Sequence, residues 1–282
     1  MPSTGARGFA PSRGAMPFDG PMGGPGPASR SLGQLRGLSS ALLDLVLPAE
    51  CGGCHRAGPR WCARCDRALE SLAFEPRAGP EGDVAHRVVP RPSPRGLPPV
   101  HAWGVFADPL RSAVSAWKDV GRRDLGTVLA PRLATALLGA AGAAGWVDGP
   151  VLVVPAPSSR RSVRARGDAP LVGLCAAAVT TWRDTPGAGV GASFELSPAL
   201  VHVRTVRDQS GLDTRERRAN LSGAMGVKPL WHNVVRGRRC IVVDDVVTTG
   251  ATMAEAARAL VRAGAADVVG ATIAATQRSG AS

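Results

Sequence analysis

One stretch constrains this 282-residue chain more than any other: Cys240-Ile-Val-Val-Asp-Asp-Val-Val-Thr-Thr-Gly-Ala-Thr252. An apolar run delivers two adjacent carboxylates, Asp244 and Asp245. A loop of small residues, Thr248, Thr249 and Gly250, then opens a segment with helical spacing at Ala251 and Thr252. This pattern predicts a strand–loop–helix unit whose ligand-facing groups sit outside the carboxyl end of the strand. The loop and the helix N-terminus offer amide N–H groups and hydroxyls to a phosphate. The two carboxylates repel that phosphate, and suit sugar hydroxyls instead, directly or through a divalent cation. A phosphate with a diol close by is a ribose 5-phosphate. A plain strand–turn–helix would leave two adjacent acids at a strand end unexplained.

The surrounding sequence alternates in the same manner. Val151–Pro155 is a continuous apolar run bounded by Gly/Pro, the signature of a strand buried on both faces. A helix-like segment follows over 169–183, then a second short strand at Leu200–Val203 and a third at Cys240–Val243. Helix 251–263 places Met253, Ala256, Ala257 and Leu260 on one face, with Gly264 to end it, and Val268–Ala275 is a last strand. Upstream, Ala102–Phe106 reads as a strand and 125–139 as a helix. Between them Leu110, Ala113, Val114 and Trp117 fall at i, i+3, i+4, i+7 of another helix. Lys118 lies off that stripe and faces either solvent or a site. The expected fold is an α/β parallel sheet flanked by helices over 101–282.

Nearer the N-terminus, Cys51-Gly-Gly-Cys54 and Cys62-Ala-Arg-Cys65 form two CxxC pairs separated by seven residues. Each pair can grip one edge of a tetrahedral ion from a tight turn. In a reducing compartment the spacing favours structural Zn²⁺, with redox or disulfide use as the alternative. All four ligand positions are filled by cysteine, which argues against a catalytic metal. His55 reads as a surface histidine, and Cys175 and Cys240, each alone in apolar sequence, as core residues.

The remaining segments divide the chain. Residues 1–34 are rich in Gly, Pro, Ser and Ala and read as a disordered tail. Residues 35–75 hold a short helix, from the Leu38, Leu42, Leu45, Val46 spacing, plus the four-cysteine knuckle. Residues 76–100, rich in Pro, Gly and Arg, read as a linker. No secretory signal and no membrane span are expected, which makes the cytoplasm the default address. The 34 basic side chains outnumber the 22 acidic ones, a net charge of +12, and only Lys118 and Lys228 are lysines. Arg160, Arg161, Arg164 and Arg166 crowd one short stretch, and 200–239 holds nine basic against three acidic side chains. Such clusters are either solvated faces or anion sites; guanidinium forks pair bidentately with phosphate.

The Cys240–Thr252 segment resembles, at every position, the phosphoribosyl-pyrophosphate (PRPP) binding motif of type I phosphoribosyltransferases. That resemblance implies a PRPP site that includes Val246, Val247 and Ala251, with Thr248, Thr249, Gly250 and Thr252 cradling the 5-phosphate. Asp244 and Asp245 would hold the ribose hydroxyls, with Mg²⁺ accompanying the PRPP. It places a pyrophosphate loop after the first strand, at Pro155 and Ser158, followed by Arg160, Arg164 and Arg166. Purine-salvage members carry an Asp at the position of Thr248, so a hypoxanthine/guanine enzyme is not implied. With the four-cysteine knuckle added, residues 40–282 resemble the ComF/GntX family. Three further segments carry that likeness: Trp117-Lys118 with Gly121; Arg164-x-Arg166-Gly167; and Gln209-x-x-Leu212-x-x-x-Glu216-Arg217-x-x-Asn220. The Asp168-Ala169-Pro170 that follows Arg166-Gly167 departs from the Phe-Asn-Gln of many members. The resemblance implies transfer of ribose 5-phosphate from PRPP to an acceptor, with Lys118, Asp244 and Asp245 in catalytic positions. The alternative it implies is a non-catalytic, PRPP- or nucleotide-regulated protein handling single-stranded DNA with competence or recombination proteins. Gln209, Arg215, Glu216, Arg217 and Asn220 would form a lid in the first case or a DNA groove in the second. Trp231 is the one aromatic in the basic stretch, which favours the phosphate ligand.

Overall fold

The structure, a computed structural model, describes residues 49–74, 86–88, 90, 93–158, 169–184, 192–204 and 223–276. Eight strands and six α-helices are described. In chain order they are α1 (Ala63–Glu70), β1 (His86–Val88), β2 (Val100–Val105), α2 (Leu110–Ser115), α3 (Gly126–Ala143), β3 (Gly149–Pro155), α4 (Pro170–Arg183), β4 (Ala192–Leu196), β5 (Leu200–His202), β6 (Met225–Val227), α5 (His232–Val235), β7 (Arg239–Val247), α6 (Ala251–Arg262) and β8 (Asp267–Ala275).

A six-stranded sheet runs in the order β1-β2-β8-β7-β3-β4. Its five larger strands are mutually parallel, and β1 adds an antiparallel edge to β2. The apolar runs are continuous because both faces are covered. On β3, Val151 and Val153 point to one layer, and Leu152 and Val154 to the other. On β7, Ile241 and Val243 alternate in the same way with Cys240 and Val242. The first layer holds α3 and α4, with Leu129, Leu133, Leu137, Leu174 and Val179 buried. The second holds α6, through Met253, Ala256 and Leu260. Both Cys175 and Cys240 are fully buried, as expected of core cysteines.

Several elements differ from the sequence reading. Leu200–Val203 does not enter the parallel sheet: β5 pairs antiparallel with β6 in a separate two-stranded ribbon. The parallel strand is instead β4, which was missed because Ser193 and Glu195 interrupt its hydrophobic pattern. Phe194 alone is fully buried there, packed against Trp182 with ring centroids 5.0 Å apart, while Ala192 and Leu196 are half-buried against the same core. Within the expected linker, 86–88 forms strand β1. The helix begun by α2 does not continue regularly, and Ala116–Val120 form a π turn. The helix over Arg123–Ala143 is long and apolar enough to cross a membrane by length and composition, where no such segment was expected. Its many Ala and Leu residues raise the hydropathy, and here it is a core helix packed on the sheet.

The knuckle and the sheet pack together. Ala49 onward forms one compact unit with the sheet. The chain leaving α1 hydrogen-bonds to β2, through Phe74 N–H to Trp103 O (2.9 Å) and Val105 N–H to Leu72 O (2.9 Å). Leu69 is buried in the same core as α3. The tail and the Leu38–Val46 helix lie outside the described residues.

Candidate functional site

The site grows from β7, which lies between β3 and β8. Register places Val243 beside Pro155 and Asp244 beside Thr272. The end of β3 therefore opens next to the acid pair. Strand pairing continues to Val247, so both aspartates sit within the strand, before its last residues. Thr272, fully buried, donates its hydroxyl to Asp245 O at 2.8 Å and fixes the backbone there. The sequence reading missed this residue. Its signal was a lone hydroxyl among apolar neighbours in Val268–Ala275.

Asp245 is 5% exposed. Its Oδ2 meets the Lys118 ammonium at 2.5 Å, and its Oδ1 accepts from Val246 N–H at 2.9 Å. Asp244 Oδ1 accepts from Asp245 N–H at 3.0 Å. Burial pushes the Asp244 carboxyl up to about 8; the charge of Asp245 adds to the rise and Lys118 opposes it. Desolvation works to lower the Lys118 pKa, but the charges of Asp245 and Asp244 outweigh it and hold it above the usual lysine value. Lys118 thus faces the site. The π turn supplies the reason: Gly121, at φ 85°, closes it with its N–H on Ala116 O, and Trp117 beside Lys118 is buried.

After β7 the chain turns through Thr248, exposed, and Thr249, half-buried, to Gly250. Gly250 has φ 72°, a left-handed backbone that favours glycine, and a Cβ there would come within 2.9 Å of Leu97 Cδ1. The first helical bond of α6 runs from Ala254 N–H to Gly250 O (2.9 Å), and Thr249 Oγ1 lies 3.4 Å from Ala251 N. The amides ahead of Ala254 are outside the helix's own ladder, at its positive end. The expected phosphate loop is therefore a tight turn onto a twelve-residue helix, adjoining the acid pair. Pro155 ends β3, and Ala156 N–H donates to Val243 O at 2.8 Å. Ser158, half-buried, follows, and His202 Nε2 lies 3.0 Å from Pro157 O, tying the β5–β6 ribbon to this loop. The structure thus brings together Lys118, Pro155 and the segment from Asp244 to Thr252. Arg160, Arg164, Arg166, Gln209, Arg215, Glu216, Arg217 and Asn220 lie outside the described residues.

The four cysteines form a separate centre. The sulfurs of Cys51, Cys54, Cys62 and Cys65 all lie within 4.8 Å of one another, and Cys54 Sγ and Cys62 Sγ are 3.8 Å apart. A tetrahedron with Zn–S bonds of about 2.3 Å has edges of about 3.8 Å, so the set fits Zn²⁺. Backbone N–H groups point at the sulfurs, Cys62 N–H on Cys51 Sγ at 3.4 Å and Cys65 N–H on Cys62 Sγ at 3.5 Å. Desolvation raises the Cys51 thiol, but N–H groups of Cys54, Gly53 and Cys62 outweigh it and bring it down to about 6. Burial, then the neighbouring sulfurs, push the Cys65 thiol well up. A bound zinc would replace those protons and cross-link the two turns. His55 is exposed, as expected.

Residues 195–282 match the phosphoribosyl transferase domain family. The chain is similar to the DNA utilization protein YhgH of Escherichia coli O157:H7, 44% identical over 72 residues, covering 26% of this chain and 30% of that protein. The YhgH proteins of Escherichia coli K12 and Salmonella typhi match over the same length and shares, at 43% and 42% identity. The matched part is thus about 30% of the length of these curated relatives. A solved structure described as an analysis of an invariant aspartic acid in HPRTs, alanine mutant, aligns at 15% identity with a TM-score of 0.29. It covers 52% of this chain and 67% of that chain, and the likeness carries no argument.

Proposed function

We propose that this chain, with its phosphoribosyl transferase domain, its partial homology to YhgH and its compact four-cysteine cluster, binds PRPP with Mg²⁺ and transfers ribose 5-phosphate to an acceptor. The observation that carries the reading is the conjunction of a buried, lysine-paired acid pair with a glycine turn onto a helix N-terminus. The α6 amides and the Thr248, Thr249 and Thr252 hydroxyls take the 5-phosphate. Asp244 and Asp245 take the ribose hydroxyls and help hold the divalent ion. That ion, when bound, supplies charge neutralisation for the departing pyrophosphate.

The protein's own part is position and charge. Lys118, held by Asp245, keeps a positive charge beside the acid pair for the incoming phosphates. Asp244 holds a proton near neutral pH and releases it to bind a diol or a cation. Thr272 keeps the β7 backbone in place while these charges rearrange. The basic residues 160–166 and 204–218 are assigned to the leaving group by sequence alone.

Isothermal titration with Mg²⁺–PRPP tests the site, beside a double Asp244→Asn/Asp245→Asn variant. Heat with the wild type that vanishes in the variant supports the reading, and none with the wild type sinks it. Pyrophosphate release across a panel of acceptors then tests transfer. A second reading, a PRPP- or nucleotide-regulated protein that handles single-stranded DNA, draws on the YhgH similarity and the basic stretch 200–239. Its mark is a steep salt dependence of single-stranded DNA binding that survives the Asp variant and fails on replacing Arg215, Arg217 and Arg218.

A further inference from the structure

We infer that Arg122 is a positioning residue that couples the four-cysteine knuckle to Lys118, so that the state of the thiolate cluster sets the charge arrangement at the acid pair. The consequence for ligand binding rests on the phosphate-site reading above; the coupling itself does not.

Arg122 stands at the junction of the two centres. Its backbone N–H donates to Ala116 O at 3.0 Å, which seals the π turn that carries Lys118. Its guanidinium reaches the other way. Nη1 donates to Glu50 O at 3.0 Å and Nη2 to Arg60 O at 3.4 Å. Glu50 directly precedes Cys51, and Arg60 lies two residues before Cys62. The two carbonyls therefore belong to the two halves of the knuckle, and one planar guanidinium spans both. Asp124 locks that plane in a two-pronged pair, Nε to Oδ1 at 2.9 Å and Nη2 to Oδ2 at 2.7 Å.

An apolar contact runs in parallel. Gly52, inside the first CxxC turn, lies against Leu125; a Cβ there would be 2.6 Å from Leu125 Cδ1. Leu125 is 1% exposed and ends the single 3₁₀ turn that begins at Arg123, directly after Arg122. The segment 116–125 is thus fixed to the knuckle at its C-terminal end and to Asp245 at Lys118. Only Asp119, Val120 and Gly121 separate the lysine from Arg122.

The chemistry follows from this linkage. With the thiolates holding one metal ion, the two halves of the knuckle keep Glu50 O and Arg60 O at the spacing the guanidinium needs. Loss of the ion lets the halves separate, and Arg122 then cannot satisfy both carbonyls. The π turn loses its anchor, and Lys118 leaves Asp245. The acid pair is left without its counter-charge, and the site can no longer meet a pyrophosphate with a fixed cation.

The sequence provides a clean readout, because Lys118 and Lys228 are the only lysines. Lys228 Nζ donates to Pro198 O at 2.6 Å, away from the knuckle, and serves as an internal reference. The experiment compares acetylation rates of the two amines by an N-hydroxysuccinimide ester, read by peptide mass mapping, in three samples. These are metal-loaded wild type, metal-loaded Arg122→Gln, and wild type stripped by a chelator. An amine engaged in an ion pair is shielded from the ester, and one released from it is open to attack. The expected result is a several-fold rise at Lys118 in the variant and in the stripped protein, with Lys228 unchanged. Metal content of the variant should match wild type, and Arg122→Lys, which reaches one carbonyl only, should fall between. Equal Lys118 rates in all three samples would overturn the inference, as would a rise at both lysines together, which reports unfolding and no specific link. If wild-type protein binds no PRPP while the Lys118 rates still respond, the proposed function fails and the coupling stands.

Discussion

Replacing Asp244 with Asn should stabilise the fold while disabling its site, and the gain should grow with pH. In the folded protein burial raises this carboxyl to about 8, against an ordinary value of 3.8. Between those values the folded state holds a proton that the unfolded state has released. Stability from this group is therefore complete below about pH 4 and is lost as pH rises toward 8. The limiting slope is about 1.4 kcal/mol per pH unit. Lys118 and partial solvent access reduce it, so roughly 1–3 kcal/mol should be lost between pH 5 and pH 7. Asn cannot ionise, and its amide oxygen can keep the Asp245 N–H bond seen at 3.0 Å. Urea denaturation of both metal-loaded proteins at several pH values, taken as a difference, cancels the other titrations. The variant's advantage should widen from pH 5 to pH 8. A difference that stays flat, or narrows as pH rises, would refute the idea that Asp244 holds its proton by burial.

Three other outcomes are expected. Purified protein should carry about one equivalent of zinc, and less than half an equivalent by metal analysis counts against the Cys51–Cys65 centre. Gly250→Ala should cost about 1–3 kcal/mol in chemical denaturation, from the left-handed backbone and the clash with Leu97, and should weaken Mg²⁺–PRPP binding as well. Glu255→Ala should cost about 1–3 kcal/mol, because Glu255 Oε1 accepts from the buried Met225 N–H at 2.9 Å and Arg258 would lose its carboxylate partner. Unchanged melting of that variant would mean that the β5–β6 ribbon does not depend on α6.

The strand carrying Asp244 and Asp245 was legible because it is central: buried on both faces, it must be apolar until its function begins. Strands β3 and β8 announced themselves for the same reason, and helix α6 by the apolar stripe it turns to the sheet. Strand β4 did not, because an edge strand buries only Phe194 and leaves Glu195 to pair with Arg238 at the surface. Lys118 stayed ambiguous because helical spacing assumes a regular turn, whereas the π turn over Ala116–Val120 shifts every direction after it. The docking of the knuckle was hidden in Gly52 and Leu125. Separately these read as a turn glycine and a core leucine, and only their contact makes them an interface.

The place of β8 in the sheet has a consequence for how the chain matures. It lies between β2 and β7, yet every other described strand precedes it in sequence. As the polypeptide leaves the ribosome, β1–β2 and β7–β3–β4 can form only as two half-sheets with open edges facing one gap. The Lys118–Asp245 pair bridges the same gap, so the acid pair emerges before its partner can be held in place. A nascent or truncated chain lacking β8 would thus carry two exposed strand edges and an acid pair whose counter-charge is not held in place. Such a species is a natural client for chaperones and an easy one for proteases to recognise.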